Sequence, residues 1–329
     1  MCLIALAIDC DRRFPLVIAT NRDEFFDRPA ARLAWWTAEP GTPAVLGGRD
    51  LEGGGTWLGL TAEGRLAMLT NVRNPGAIDP QAPSRGKVVT DWLAARESPD
   101  RFWMRTALAG HNGFNLLAAD FRRGEFFWAS NTQPYPKRLD RGIYGVSNAI
   151  LDTPWPKVQA LKSRLRESIE ATVAADQSVE ALSARLFEAL GDRGEAADAA
   201  LPTTGVPIEI ERALSAAHIR PTERGYGTRC ATIIVTERVR RQLVTHVFER
   251  SFSAAGGVAL LRRSMLKPWP PRYTDDPLTA ASEQGPVSET QLPLASAIGV
   301  EAFKAMAVKR TRVRSLLKPD PALRKRSTV

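Results

Sequence analysis

The chain begins "MCLIALAIDCDRRFPLVIATNRDEFF" (residues 1–26). Residues 2–9 read as a strand, apolar or small up to Ile8; the polar run "DCDRR" (9–13) follows, and "FPLVIATN" (14–21) is mostly apolar again. Two such runs around a short polar break predict an antiparallel hairpin at the very start. The hairpin puts Cys2 at the outer end of its first strand, directly behind a methionine. Cysteine is small enough for that methionine to be removed, which leaves Cys2 with a thiol and a free α-amine. An α-amine has an unperturbed pKa of about 7.7–8.0, low enough for a base near neutrality. Nucleophile and base would then reside in one residue. The plainer alternative is a small thiol buried in a strand.

Working outward, "GGRDLEGGGTWLGLTAEGRLAMLTNVRN" (47–74) predicts a glycine-rich loop, then strands at 56–61 and 65–71 around "AEG". "SRGKVVTDWLAARES" (84–98) has helical periodicity behind Ser84. "FNLLAAD" (114–120) and "EFFWASN" (125–131) form a second hairpin around "FRRG", and "GIYGVSN" (142–148) is a short strand ending in asparagine. Residues 155–190 fit two helices, 191–205 a polar loop, "PIEIERALSAAHI" (207–219) another helix, and 227–252 two final strands. Hairpins, then helices, then a hairpin predict an α+β protein with antiparallel sheets and segregated helices.

Beyond about residue 255 the pattern breaks into proline-punctuated segments, with a possible basic helix at 301–317 and a partly disordered end. This extension holds thirteen Lys and Arg against six Asp and Glu, a net +7 of the chain's +9. The first 255 residues are therefore nearly neutral, and no nucleic acid is expected on that domain. For the tail, binding to nucleic acid or anionic lipid competes with the preferred reading of a solvated extension. The three cysteines, Cys2, Cys10 and Cys230, are too few and too scattered for a disulfide framework. No secretory leader or long apolar run is visible, so a cytoplasmic protein without a membrane span is expected.

Several polar residues fall where strands end. The second strand runs into Asn21, Arg22, Asp23 and Glu24. The strand at 65–71 runs into Asn71 and Arg73, strand 142–148 ends at Asn148, and the penultimate strand opens on Arg229. Thiol chemistry on an acyl group needs amide donors for an oxyanion and charged groups that orient the base. Asn and Asp also end strands for purely local reasons. No spacing suits a metal, and no cofactor is expected. The loop "GGRDLEGGGTW" lacks a Gly-Lys-Ser/Thr ending and leads into a strand, so it is read as a mobile segment anchored by Trp57, not a phosphate cradle.

"MCLIALAID", "ATNRDEFFDRPA", "GGRDLEGGGTWLGL", "LAMLTNVRNP" and "YGTRCATIIV" resemble the NRDE family, named for its Asn-Arg-Asp-Glu motif, which includes the transport and Golgi organisation protein 2 homologues. The resemblance covers about residues 1–255. It extends to N-terminal-nucleophile (Ntn) hydrolases of the choloylglycine hydrolase and penicillin V acylase type, and implies a four-layer αββα sandwich of two antiparallel sheets. By the same resemblance Cys2 is the nucleophile, Asp23 holds the Cys2 amine and thiol region, and Asn71 completes an oxyanion hole. Asn148 contacts the amine and Arg229 sits beside the nucleophile. Asn21, Arg22, Trp57 and Arg73 are assigned to the substrate, a small acylated amide. The acylases place an arginine three residues before the aspartate, where this chain has Thr20. On an alternating strand Arg22 and Asp23 face opposite sides, which argues against Arg22 as its replacement. The alternative function is a non-catalytic carrier of a lipid, acyl or haem ligand. Trp35, Trp36, Trp57, Phe25 and Phe26, near loops, would wall its pocket, and Cys2, His111, His218 or His246 would ligate haem.

Overall fold

The structure, a computed structural model, describes residues 2–271, so the expected helix at 301–317 lies outside the described residues. The opening hairpin forms as read: β1 (Cys2–Ile8) pairs antiparallel with β2 (Leu16–Phe25). Next come β3 (Ala30–Thr37), β4 (Ala44–Asp50), β5 (Leu58–Thr61) and β6 (Arg65–Asn71), followed by helices α1 (Gly86–Ala94) and α2 (Pro99–Ala107). Strands β7 (Phe114–Asp120), β8 (Glu125–Ser130), β9 (Lys137–Arg138) and β10 (Gly142–Val146) precede α3 (Pro156–Ala174), α4 (Val179–Leu190) and the short α5 (Ile208–Ala213). The described chain closes with β11 (Tyr226–Val239), β12 (Gln242–Phe252) and β13 (Val258–Leu266).

These strands build two antiparallel sheets, ordered β10-β1-β2-β11-β12-β13 and β3-β4-β5-β6-β7-β8-β9. The period of two along β1 and β2 decides what lies between them. Ile4, Leu6, Ile8, Leu16 and Ile18 pack into one core with Leu46, Leu58, Leu66, Met68 and Leu117 of the second sheet. Leu3, Ala5, Ala7, Val17 and Ala19 face the other way, onto Val158, Leu161 and Leu165 of α3 and Leu182 and Leu186 of α4. The outer face of the second sheet packs Ala67, Leu116 and Phe127 against Trp92 of α1 and Phe102 of α2. The molecule is thus a four-layer αββα sandwich. Because β1 and β2 are covered on both faces, each of their leucines and isoleucines adds about 1.5–3 kcal/mol by burial.

Local chemistry hid two strands from the sequence. Gly47 and Gly48 suggest a loop, yet both lie in β4. A Cβ on Gly47 would collide with the Leu58 carbonyl, and one on Gly48 with the Trp57 ring. These glycines permit close approach within a sheet. Strand β3 is an edge with little buried surface, so it carries no clear alternation. Trp35 and Trp36 accordingly belong to β3, not to loops, and the Trp36 indole donates to the Gly47 carbonyl (3.1 Å). The NRDE motif also shifts: residues 21–24 lie within β2, all four paired to β11, with Asn21 and Arg22 also paired to β1 on the other side.

The first sheet continues past residue 255, where a boundary is expected from the sequence. Strand β13 extends the first sheet along β12, and Trp269 is 1% exposed in the inter-sheet core. Its indole donates to the Thr61 carbonyl (2.8 Å) and packs edge-on against Phe121. Prolines and arginines masked this segment, because an edge strand need bury only part of one face.

His218 is buried, packed edge-on against Phe252. Burial, with help from Arg193, pulls its pKa down to about 4. The unfolded chain, with an ordinary histidine, then takes up more protons than the fold in the window from the normal value down to about 4. Stability from this site is therefore present at neutral pH and is lost as pH falls through that window. Melting temperatures across this range are expected to decline less steeply in His218→Gln than in the parent. Parallel curves would refute this reading.

Candidate active site

The end of β1 and β2 carries two chemically distinct faces. On the inter-sheet face Cys2 stands opposite Arg22, and Arg22 stands opposite Cys230 of β11. Directly opposed residues share a face, so two thiols flank one guanidinium. Two strand spacings separate the thiols' backbones, on the order of 9–10 Å, too far for a disulfide. The Arg22 guanidinium lies 4.2 Å from the Trp57 ring centroid and pairs with Asp50 (3.6 Å) and Glu24 (3.9 Å). Burial opposes ionisation of Asp50, but bonds from Arg28 and the Gly53 N–H outweigh it and hold the carboxyl below its usual range. Burial pushes the Cys2 thiol up, Asp23 adds to this, and Arg22 works against it.

On the helix face lie Asn21, Asp23 and, from the first turn of α3, Lys157. Asp23 is completely buried and accepts from the Thr228 hydroxyl at 2.6 Å. Thr228 in turn accepts from the Ile219 N–H (2.9 Å), so the carboxylate is fixed through β11 to the segment before it. Burial raises the Asp23 pKa, and Lys157 is the largest opposing influence. The Lys157 ammonium is buried too, donates to the Leu214 carbonyl (2.8 Å), and is lowered by burial to about 8.

The ends of β6 and β10 are clipped together beside these faces. Asn148 Nδ2 donates to the Asn71 carbonyl (2.9 Å), and the Arg73 N–H donates to the Asn148 carbonyl (2.7 Å). Ser147 Oγ donates to the Cys2 carbonyl (3.1 Å), with Asn148 Oδ1 3.2 Å away. Cys2, Asn71 and Asn148 are therefore linked through one hydroxyl and one amide. The Asn148 amide group expected at the amine is instead committed to Asn71.

Three more of the expected site residues have their own contacts. Arg229 sits at a β-bulge, and its guanidinium donates to the carbonyls of Phe25 and Arg28 while lying over Phe26. It braces the chain leaving β2, whereas Arg22 is the guanidinium facing Cys2. Asn21 donates to the carbonyls of Leu190 (2.9 Å) and Ala217 (2.7 Å), which makes its amide nitrogen a buried dock for the helix layer. Arg73 forms a buried ion pair with Glu211 of α5 and lies over Trp155. Glu211 also accepts from the Thr204 N–H (2.9 Å) and hydroxyl. Trp57 keeps a place at the site through Arg22.

Lys157, Thr228 and Ser147 were not singled out in the sequence. For Lys157 a signal existed. The buried residues of α3 include 157, 161, 165, 168 and 172, so this lysine occupies the apolar phase of an amphipathic helix. The histidines lie elsewhere: His111 contacts the Pro83 carbonyl, His218 packs on Phe252, and His246 contacts Arg263. Among the described residues, no group of three or more His, Cys, Asp and Glu is placed to hold a metal ion. Nor is any helix among them long and apolar enough to cross a membrane.

Residues 1–254 match the family model described as Transport and Golgi organisation 2. The Homo sapiens Transport and Golgi organization protein 2 homolog is 34% identical over 251 residues, covering 72% of this chain and 89% of that one. The Drosophila melanogaster Transport and Golgi organization protein 2 is 26% identical, covering 72% and 88%. Among solved structures, a conjugated bile acid hydrolase from Clostridium perfringens matches with a TM-score of 0.38 at 10% identity, covering 80% of this chain and 96% of that chain. The Caenorhabditis elegans orthologue of N-acylethanolamine-hydrolyzing acid amidase matches with a TM-score of 0.36 at 12% identity, covering 71% and 92%.

Proposed function

Starting from the fact that the chain belongs to the Transport and Golgi organisation 2 family, we propose that it is an N-terminal-cysteine amidase or acyltransferase acting on a small acylated substrate in the cytoplasm. The observation that carries this reading is the shared strand end, where Cys2 faces Arg22 on one side of the sheet and Asp23 and Lys157 stand on the other. Three free thiols agree with a reducing compartment.

In the proposed reaction, methionine removal exposes the Cys2 amine. The amine takes the thiol proton, and the sulfur attacks the acyl carbonyl carbon. The developing oxyanion is met by amide groups at the Asn71 end of β6. The carbon–nitrogen bond then breaks, the departing nitrogen receives the proton held by the amine, and a thioester to Cys2 remains. Water or another acceptor releases the acyl group, and the amine recovers its starting state. Asp23 orients the amine, and Arg22 favours the thiolate.

Intact mass spectrometry, followed by labelling with an acyl-type electrophile and peptide mapping, tests this. Met1 is expected to be absent and the label to fall on Cys2. Cys10 is the most exposed of the three thiols, so exposure alone favours Cys10. Equal or greater labelling of Cys10 or Cys230 would sink the catalytic reading.

A further inference from the structure

The Asp23 carboxyl is completely removed from water, where an ionised carboxylate is costly without a nearby cation. The sequence offers no arginine three residues earlier, since Thr20 stands there. The fold brings a cation to that side of the sheet from 134 positions later in the chain. The segment preceding β11 runs across both groups: the Leu214 carbonyl accepts from Lys157, the Ala217 carbonyl accepts from Asn21, and the Ile219 N–H meets the hydroxyl bound to Asp23. Lys157 is 5% exposed at the start of a helix whose other buried residues are mostly apolar. An ammonium has three donors, and the Leu214 carbonyl uses one.

We propose that Lys157 is a positioning residue, the cation that keeps Asp23 ionised behind Cys2 and, through that carboxylate, orients the Cys2 amine. The inference rests on the N-terminal-nucleophile reading above. Its electrostatics are reciprocal. Burial alone favours neutral forms of both groups, while each charge favours the ionised form of the other. The charge of the chain's amino terminus also favours the Asp23 carboxylate, Glu24 disfavours it, and Asp23 in turn acts on Tyr226; Arg73, Glu211 and the Cys2 thiol act electrostatically on Lys157. At neutral pH the ammonium is charged, and the support is withdrawn as pH rises through about 8.

The test measures Cys2 labelling by the acyl electrophile from about pH 6 to about pH 9 in the parent, Lys157→Met and Lys157→Arg. Lys157→Met is expected to slow labelling roughly tenfold or more at neutral pH, with an altered pH profile, because it removes the largest influence that favours the ionised Asp23 carboxyl. Lys157→Arg is expected to restore most of the rate. A Lys157→Met protein that labels at the parental rate with the parental profile overturns the proposal. If Lys157→Met is poorly folded, thermal melting of Lys157→Met, Asp23→Asn and the double variant decides. A coupled pair predicts a double variant more stable than Lys157→Met alone. Additive losses overturn it. Should parental Cys2 itself be unreactive, the function above fails, while the melting cycle still reports on the pair.

Discussion

Cys2→Ala is expected to abolish electrophile labelling at the N-terminus and to reduce turnover of any amide substrate by on the order of 10³-fold or more, because it removes the atom that forms the acyl bond. The fold should survive. The sulfur of Cys2 is a single atom at the end of β1, whose other six residues hold the strand between two cores. The expected loss of stability is about 1 kcal/mol. Mass spectrometry, turnover of N-acyl amides and denaturant melts distinguish these effects. Full activity in Cys2→Ala would remove this residue from the chemistry. A collapse of the melting transition would show that the thiol serves packing instead.

Trp269→Ala is expected to cost about 3–5 kcal/mol, the range for deleting a large aromatic from a packed core. The indole fills the space between the sheets beside Phe121 and satisfies the Thr61 carbonyl. Its backbone is fixed as well, since the Thr245 hydroxyl donates to its carbonyl (2.8 Å) and its N–H donates to Leu243 (3.2 Å). A chain ending at residue 255 also loses β13 and uncovers the edge of β12, so it should be less stable than Trp269→Ala. A chain ending at residue 271 keeps both features and should be more stable than the other two. Guanidinium melts of the three proteins check the order, and a chain ending at residue 255 with parental stability would contradict the packing described.

The parts of the fold legible in sequence were those with strong periodicity and burial on both faces. β1, the first half of β2, β6, β7 and β8 alternate or run apolar, and α3 and α4 repeat at helical spacing. Helix α2 and the two-residue β9 escaped, and so did the longer strands β3, β4 and β13. Two of these three lie at sheet edges, and the third contains glycines required by the Leu58 carbonyl and the Trp57 ring. Edges bury too little to impose a pattern. A glycine chosen for close approach looks the same in one dimension as a glycine chosen for a turn.

The candidate site divides in the same way. The sequence by itself determined that Cys2 follows a methionine at the head of a hairpin and that Arg22 and Asp23 must face opposite sides, because a strand's period of two is a local property. Only the tertiary structure decided what stands on each side. Strand register put Arg22 between Cys2 and Cys230, and layer packing brought Lys157 to the helix face that carries Asp23. Register and layer contacts join residues from Cys2 to Cys230. Pairings at that separation are selected by the burial of whole faces, which no short stretch of sequence encodes.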